Sequence, residues 1–145
     1  IDDMAVRFSR CCNPVPGDEI IGFVTRGRGL SIHRTDCINV INLPEDERGR
    51  LIDAEWQVAE NPTSTEQYST EIQIFANNRI GLFADISKVF TEKQIDITSM
   101  NVRTCKQGRA TIIMTFDIHG TEELNRITDK IRQIDGVLDI QRTTG

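Results

Sequence analysis

The chain has 145 residues, 38% of them hydrophobic, and a formal net charge of −5, which leaves room for one ordinary domain or two small ones. No apolar run in these residues is long enough to cross a bilayer as a helix, and no signal peptide is visible in them. The acidity is local. Residues 44–67 set Arg48 and Arg50 against seven acidic residues, whereas residues 1–43 (five Arg, five Asp/Glu) and 68–145 (ten basic, ten acidic) balance. Net charge therefore does not exclude nucleic-acid contact by the first segment.

In chain order, residues 4–8 alternate as a strand, residues 20–25 read as a central strand, and residues 30–33 as another. Residues 35–40 open on a good cap, Thr35, and predict one short helix. Residues 43–50 are a loop, and residues 51–56 close the set. The expected product is a small β-rich α+β domain over residues 1–58, with a core of Phe8, Ile21, Phe23, Ile32, Ile38 and Trp56. Residues 59–67 lack apolar periodicity and contain Pro62, which reads as a linker.

Residues 68–145 predict a βαββαβ unit. Ile72, Ile74 and Ala76 alternate with Glu71, Gln73 and Phe75. Leu82, Ile86, Val89 and Phe90 then recur at helical spacing, as Leu124, Ile127, Ile131 and Ile134 do later. Between the helices lie strands near residues 97–102 and 110–118, and a short strand follows Gly136. Two split βαβ units of this kind give a ferredoxin-like antiparallel sheet with both helices on one face. The other face, with Thr111, Ile113 and Thr115, is either solvated or covered by a partner.

The turn Asn78-Arg79-Ile80-Gly81-Leu82-Phe83 joins the first strand of this unit to its first helix. A glycine there brings the backbone close to a small molecule, and the amides of Gly81, Leu82 and Phe83 would receive a carboxylate. Asn77 and Asn78 would accept from an ammonium group, and Ile80, Leu82 and Met100 would border an apolar side chain. The plainer reading is that Asn78 caps the helix and Gly81 only permits helix–sheet packing.

Four cysteines with no secretory mark favour free or metal-bound thiols over disulfides. Cys11, Cys12, His33 and Cys37 supply four donors of the kind zinc accepts in a tetrahedron. The first two are adjacent, however, and neighbours in an extended strand point opposite ways, so both reach one ion only through a distorted turn at Asn13-Pro14. The alternative is a core cysteine among ordinary thiols. Cys12 with His33 lacks a third orienting group, which argues against nucleophilic catalysis. Cys105 has no sequence partner. Arg26-Gly27-Arg28-Gly29, with His33 and Arg34 behind it, concentrates positive charge in an exposed loop suited to a phosphate backbone, and Arg7 and Arg10 would extend the patch.

Cys11-Cys12-Asn13-Pro14-Val15-Pro16-Gly17-Asp18, Gly22-Phe23-Val24-Thr25-Arg26-Gly27-Arg28-Gly29 and His33-Arg34-Thr35-Asp36-Cys37 together resemble the C-terminal regulatory region of long RelA/SpoT-type (p)ppGpp synthetase/hydrolases, the bacterial stringent-response enzymes. The βαββαβ unit resembles the ACT domain of the same proteins. The resemblance covers nearly the whole chain. It implies that the first unit is a zinc-finger-like or RIS domain contacting ribosomal RNA on a ribosome that carries deacylated tRNA. It also implies that the ACT domain pairs with a second copy, whose Ser99, Met100 and Asn101 (or Thr98) face the 77–83 turn around a branched-chain amino acid. Asn78 stands where the family frequently has an acidic residue. Arg79 falls within the same turn.

The resemblance further implies a cytoplasmic bacterial protein whose catalytic domains, synthetase and also hydrolase, precede this segment. The chain opens on Ile1 without an initiator methionine and is expected to be a non-enzymatic regulatory piece of a longer GTP pyrophosphokinase. Two other classes stay open: an ACT-containing allosteric tail of an amino-acid biosynthetic enzyme, and an independent zinc-dependent RNA-binding module.

Overall fold

A computed structural model describes residues 5–27, 29–56 and 67–143. Met4, Arg28 and linker residues 59–66 lie outside the described residues.

The first sheet holds β1 (Val6–Phe8), β2 (Ile20–Thr25), β3 (Gly29–Arg34) and β4 (Leu51–Asp53) in the order β1-β3-β2-β4. β2 and β3 form an antiparallel hairpin from Ile20↔Arg34 to Thr25↔Gly29, and β1 runs parallel to β3. The short helix α1 spans Ile38–Ile41 and starts after Cys37, not at Thr35 as expected. The reason is local. The Thr35 amide still donates to the Glu19 carbonyl at 3.0 Å, so the chain is held against the strand edge until it has passed that residue. The expected loop at residues 43–50 contains a 3-10 helix, Glu45–Arg50. There Arg48 Nη1 donates to the Val40 and Leu43 carbonyls at 3.3 and 3.4 Å, satisfying the open end of α1.

The core of this domain differs from the expected set. Cys37 and Val40, three residues apart, share the inward side of the single helical turn, which puts Ile38 and Ile41 on the outward side. Ile32 is buried as expected, but Ile38 is 47% exposed, and Leu30, Cys12, Cys37 and Val40 fill the core beside Ile32. Phe8 is 44% exposed. It stacks on Trp56 at 5.3 Å and meets the edge of Tyr68 at 5.5 Å, lining the junction with the second sheet rather than the core.

The second sheet comes from β5 (Tyr68–Asn77), α2 (Leu82–Glu92), β6 (Ile97–Thr104), β7 (Arg109–Ile118), α3 (Thr121–Arg132) and β8 (Val137–Arg142). Its order is β6-β7-β5-β8, antiparallel throughout. This is the ferredoxin-like βαββαβ arrangement read from the periodicities. Alternate residues of β5 and β7 (Ile72, Ile74, Ala76; Ile112, Met114, Phe116, Ile118) meet the buried stripes of α2 and α3. Phe90 packs edge-on against Phe116 at 4.8 Å. The opposite face, with Thr111, Ile113 and Thr115, is half-buried, and β6 is exposed along all but its first residue.

The two sheets interlock through the loop after Cys12. Val15 is fully buried inside the second core. The Thr121 amide at the start of α3 donates to the Pro16 carbonyl at 2.8 Å. Gly17, at φ +103°, lies so close to Thr121 that a Cβ would collide with its hydroxyl.

Candidate metal centre

Four side chains from three segments converge in the first domain. The donor atoms of Cys11, Cys12, His33 and Cys37 all lie within 4.8 Å of one another. Cys11 Sγ is 3.4 Å from both His33 Nδ1 and Cys37 Sγ, and Cys12 Sγ is 3.9 Å from His33 Nδ1. Bond lengths of about 2.3 Å to sulfur and about 2.0 Å to nitrogen around a tetrahedral zinc ion place neighbouring donors about 3.5–3.8 Å apart. The donor set fits such an ion.

The adjacent cysteines reach one point because they are not in a strand. The Asn13 amide donates to the Ser9 carbonyl at 3.0 Å, closing a helix-like turn, and Asn13 itself sits at φ +48°. Successive side chains on such a turn diverge by about 100° rather than 180°. The geometric objection to the Cys11-Cys12 pair is thereby removed, and the turn ends at Asn13-Pro14 as the sequence suggested.

The surroundings orient the donors. Ser31 Oγ lies 3.2 Å from His33 Nε2, which leaves Nδ1 facing the sulfurs, and Ser9 Oγ lies 2.8 Å from Cys11 Sγ. The Arg34 backbone N–H donates to Cys12 Sγ at 3.3 Å. Burial pushes the Cys12 thiol up to about 12, only partly offset by that N–H, and burial also raises Cys37. For Cys11, burial acts upward but is outweighed by hydrogen bonds with Ser9, Asn39, Cys37 and Cys12 together, so the thiol lies below its ordinary value. Burial lowers His33 and keeps its imidazole neutral, the form that ligates. Binding a cation here would expel thiol protons. The second nitrogen of His33 faces Ser31, and no hydrogen bond from a carboxylate to His33 is found among the described residues.

The expected basic patch divides. Arg7, Arg10 and Arg26 are exposed on the first domain, while Arg28 lies outside the described residues. His33 is half-buried in the cluster. Arg34 is 7% exposed and turns inward. Its guanidinium donates to the Cys12 carbonyl at 3.3 Å, to the Thr143 carbonyl at 3.2 Å and to Asp36.

At the 77–83 turn Gly81 sits at φ +85° as the N-cap of α2. Arg79 straps the turn, donating to the Asp135 carbonyl at 2.8 Å, the Ile80 carbonyl at 3.1 Å and Asp85 at 2.7 Å. The Leu82 amide donates to the Arg79 carbonyl (3.3 Å), and its side chain is fully buried. The N-cap position of α2 is Gly81 rather than Asn78, and it carries no side-chain cap. Ile80 is wholly exposed.

Residues 1–57 match the RelA/SpoT RIS domain, and residues 64–142 match the ACT domain. The chain belongs to the ACT domain family. It is 38% identical over 144 residues to a GTP pyrophosphokinase of Streptomyces coelicolor, covering 99% of this chain and 16% of that relative. It is 35% identical over 146 residues to the GTP pyrophosphokinase of Escherichia coli K12, covering 100% and 19%. The chain thus spans less than a fifth of the length of these curated relatives. Among solved structures, the ACT domain from GTP pyrophosphokinase of Chlorobium tepidum aligns at 22% identity and a TM-score of 0.48, covering 53% of this chain and 99% of that one.

Within one ACT domain the expected ligand residues form two separate groups. Ser99 and Glu71 both pair with Thr115, so Ser99 lies level with Glu71. That is six positions, or about 20 Å along the sheet, from Asn77 and the glycine turn. Ser99, Met100 and Asn101 are exposed on the edge strand β6, where only a second copy would bring them to the turn. Asp18, Arg142 and Thr143, which take part in joining the two domains, carry no mark in the sequence. Their spacing of 124 residues between Asp18 and Arg142 leaves no local signal.

Proposed function

We propose that this chain is the regulatory portion of a stringent-response GTP pyrophosphokinase that acts in the bacterial cytoplasm. The observation that carries the reading is the succession of a RIS and an ACT match along one chain, in relatives whose printed name is GTP pyrophosphokinase. The two domains divide at residues 59–67. Among the described residues no helix is long and apolar enough to cross a membrane.

In this reading the RIS domain contacts ribosomal RNA with exposed Arg7, Arg10 and Arg26, together with Arg28 of the same loop. Arg34 and His33 support the domain from inside. The Cys11, Cys12, His33 and Cys37 cluster holds zinc, which would supply folding energy to a small domain with a thin apolar core. The ACT domain pairs with a second copy through β6 and holds a branched-chain amino acid between the Gly81 turn of one copy and the Ser99–Asn101 stretch of the other. Ligand binding biases the catalytic domains of the same protein by favouring one of its states.

Co-sedimentation of the chain with ribosomes carrying deacylated tRNA is the test. Pelleting that is lost at high salt supports RNA contact, and no pelleting at low salt removes it. Incubation with ATP plus GDP or GTP, and with ppGpp plus manganese, should give no turnover; turnover in either would overturn the regulatory assignment.

A further inference from the structure

The stretch from Cys12 to Asp18 belongs to two structures at once. Cys12 presents its sulfur to the Cys/His cluster, while its carbonyl accepts from Arg34 Nη1 at 3.3 Å. The same nitrogen donates to the Thr143 carbonyl, just beyond β8 of the ACT domain, at 3.2 Å. The Asn13 carbonyl accepts from Arg142 Nη2 at 3.1 Å. Val15 is buried in the ACT core, and the Pro16 carbonyl receives the first amide of α3. Asp18 ends the stretch by taking Arg142 at 2.7 and 3.0 Å, and it also accepts the Val15 amide at 2.8 Å. The ligand loop and the docking loop are one piece of backbone.

We propose that metal loading of the cluster and docking of the ACT domain are thermodynamically coupled, with Arg34 as the residue that ties them. This rests on the metal reading given above. An ion held by Cys11, Cys12, His33 and Cys37 fixes the turn that receives Arg142, and the docked ACT domain holds Cys12 at the ion. Ordering the loop is a shared cost, met once for both events, and the coupling is reciprocal: whatever factor the metal adds to docking, docking adds to metal affinity. Arg142 is largely buried, and its Nε has no hydrogen-bond partner among the described residues. A partial slip would leave more of its donors unpaired. Loss of the ion therefore weakens the hold of the RIS domain on the ACT domain by the same factor.

The chain carries its own reporter. Trp56, its one tryptophan, stacks on Phe8, meets the edge of Tyr68, and donates its indole N–H to the Asp18 carbonyl at 3.0 Å. The experiment loads the whole chain with zinc and measures stoichiometry and affinity by competition with a chromogenic chelator. It then follows Trp56 emission and amide exchange at Thr121 and β8 before and after chelation. Chelation is expected to red-shift Trp56 and speed exchange at Thr121. Arg142→Gln and the near-isosteric Asp18→Asn should each weaken zinc binding by about tenfold, within the usual range of coupled sites, and Lys88→Gln, on the exposed face of α2, should not. If one zinc binds but neither variant changes its affinity and chelation leaves both reporters still, the coupling is overturned while the metal reading stands. If no zinc binds, both fall.

Discussion

Asp18 and Arg142, 124 residues apart, meet as a two-pronged ion pair at 2.7 and 3.0 Å, with side chains only 10% and 18% exposed. Removing one member leaves the other charge enclosed. Arg142→Ala is expected to cost about 3 kcal/mol in urea unfolding of the chain, whereas Arg126→Ala, whose ion pair with Glu122 is exposed, should cost under about 1 kcal/mol. A double-mutant cycle with Asp18→Ala should be strongly non-additive. Additive effects would mean that the pair contributes little to holding the domains together.

Metal removal should be felt by the whole RIS domain. With zinc at about a thousand times its Kd, binding contributes about 4 kcal/mol, which corresponds to a Tm about 10 °C higher in a chain of this size. Calorimetry with and without chelator checks it. Cys37→Ser should abolish most of the difference, and Cys105→Ser, at an exposed position, should leave it intact. An equal Tm in both conditions would return the cluster to ordinary thiols.

The Gly81 turn yields to titration calorimetry. Valine and isoleucine should give saturable heat and glycine should not. Gly81→Val places a β-branched residue at φ +85°, costing about 1–3 kcal/mol, and should remove the heat. Full affinity in that variant would place the ligand elsewhere. No heat at millimolar valine would leave the ACT domain as a docking or pairing module.

Basic residues that share a sequence motif should behave differently. Arg26→Ala with Arg28→Ala should weaken ribosome binding and lower the slope of log affinity against log salt by about 1–2, with Tm unchanged. Arg34→Ala should instead lower Tm, since its guanidinium holds Cys12, Asp36 and Thr143. A double variant with wild-type ribosome affinity would remove the loop from the interface.

In the ACT core, Phe90→Ala should cost about 3–5 kcal/mol, because the ring is fully buried against Phe116 and the sheet cannot collapse into the space. A loss under about 1 kcal/mol in urea unfolding would show the core to be loosely packed.

The order of elements in the ACT domain was legible because period 2 and period 3.6 are local properties of a chain. Ile72, Ile74 and Ala76, or Leu124, Ile127 and Ile131, declare their faces without knowing their neighbours. The same logic failed in the RIS domain. A four-residue helix is too short to show a period, so Ile38 was expected inside and Val40 took its place.

The sequence by itself determined which atoms are on offer: three sulfurs and an imidazole near one another, a basic loop, and a glycine before a helix. It also determined the βαββαβ succession, because local apolar spacing has few ways to be buried. Tertiary structure alone decided how those atoms are used. The turn from Ser9 to Asn13 brings Cys11 and Cys12 to one point, the packing of β8 against the loop draws Arg34 inward, and Asp18 finds Arg142 across the junction. Each of these depends on contacts between residues distant in the chain, or on a backbone bend that those contacts hold in place. Side-chain direction at such positions is set by what packs from outside, and no periodicity records it.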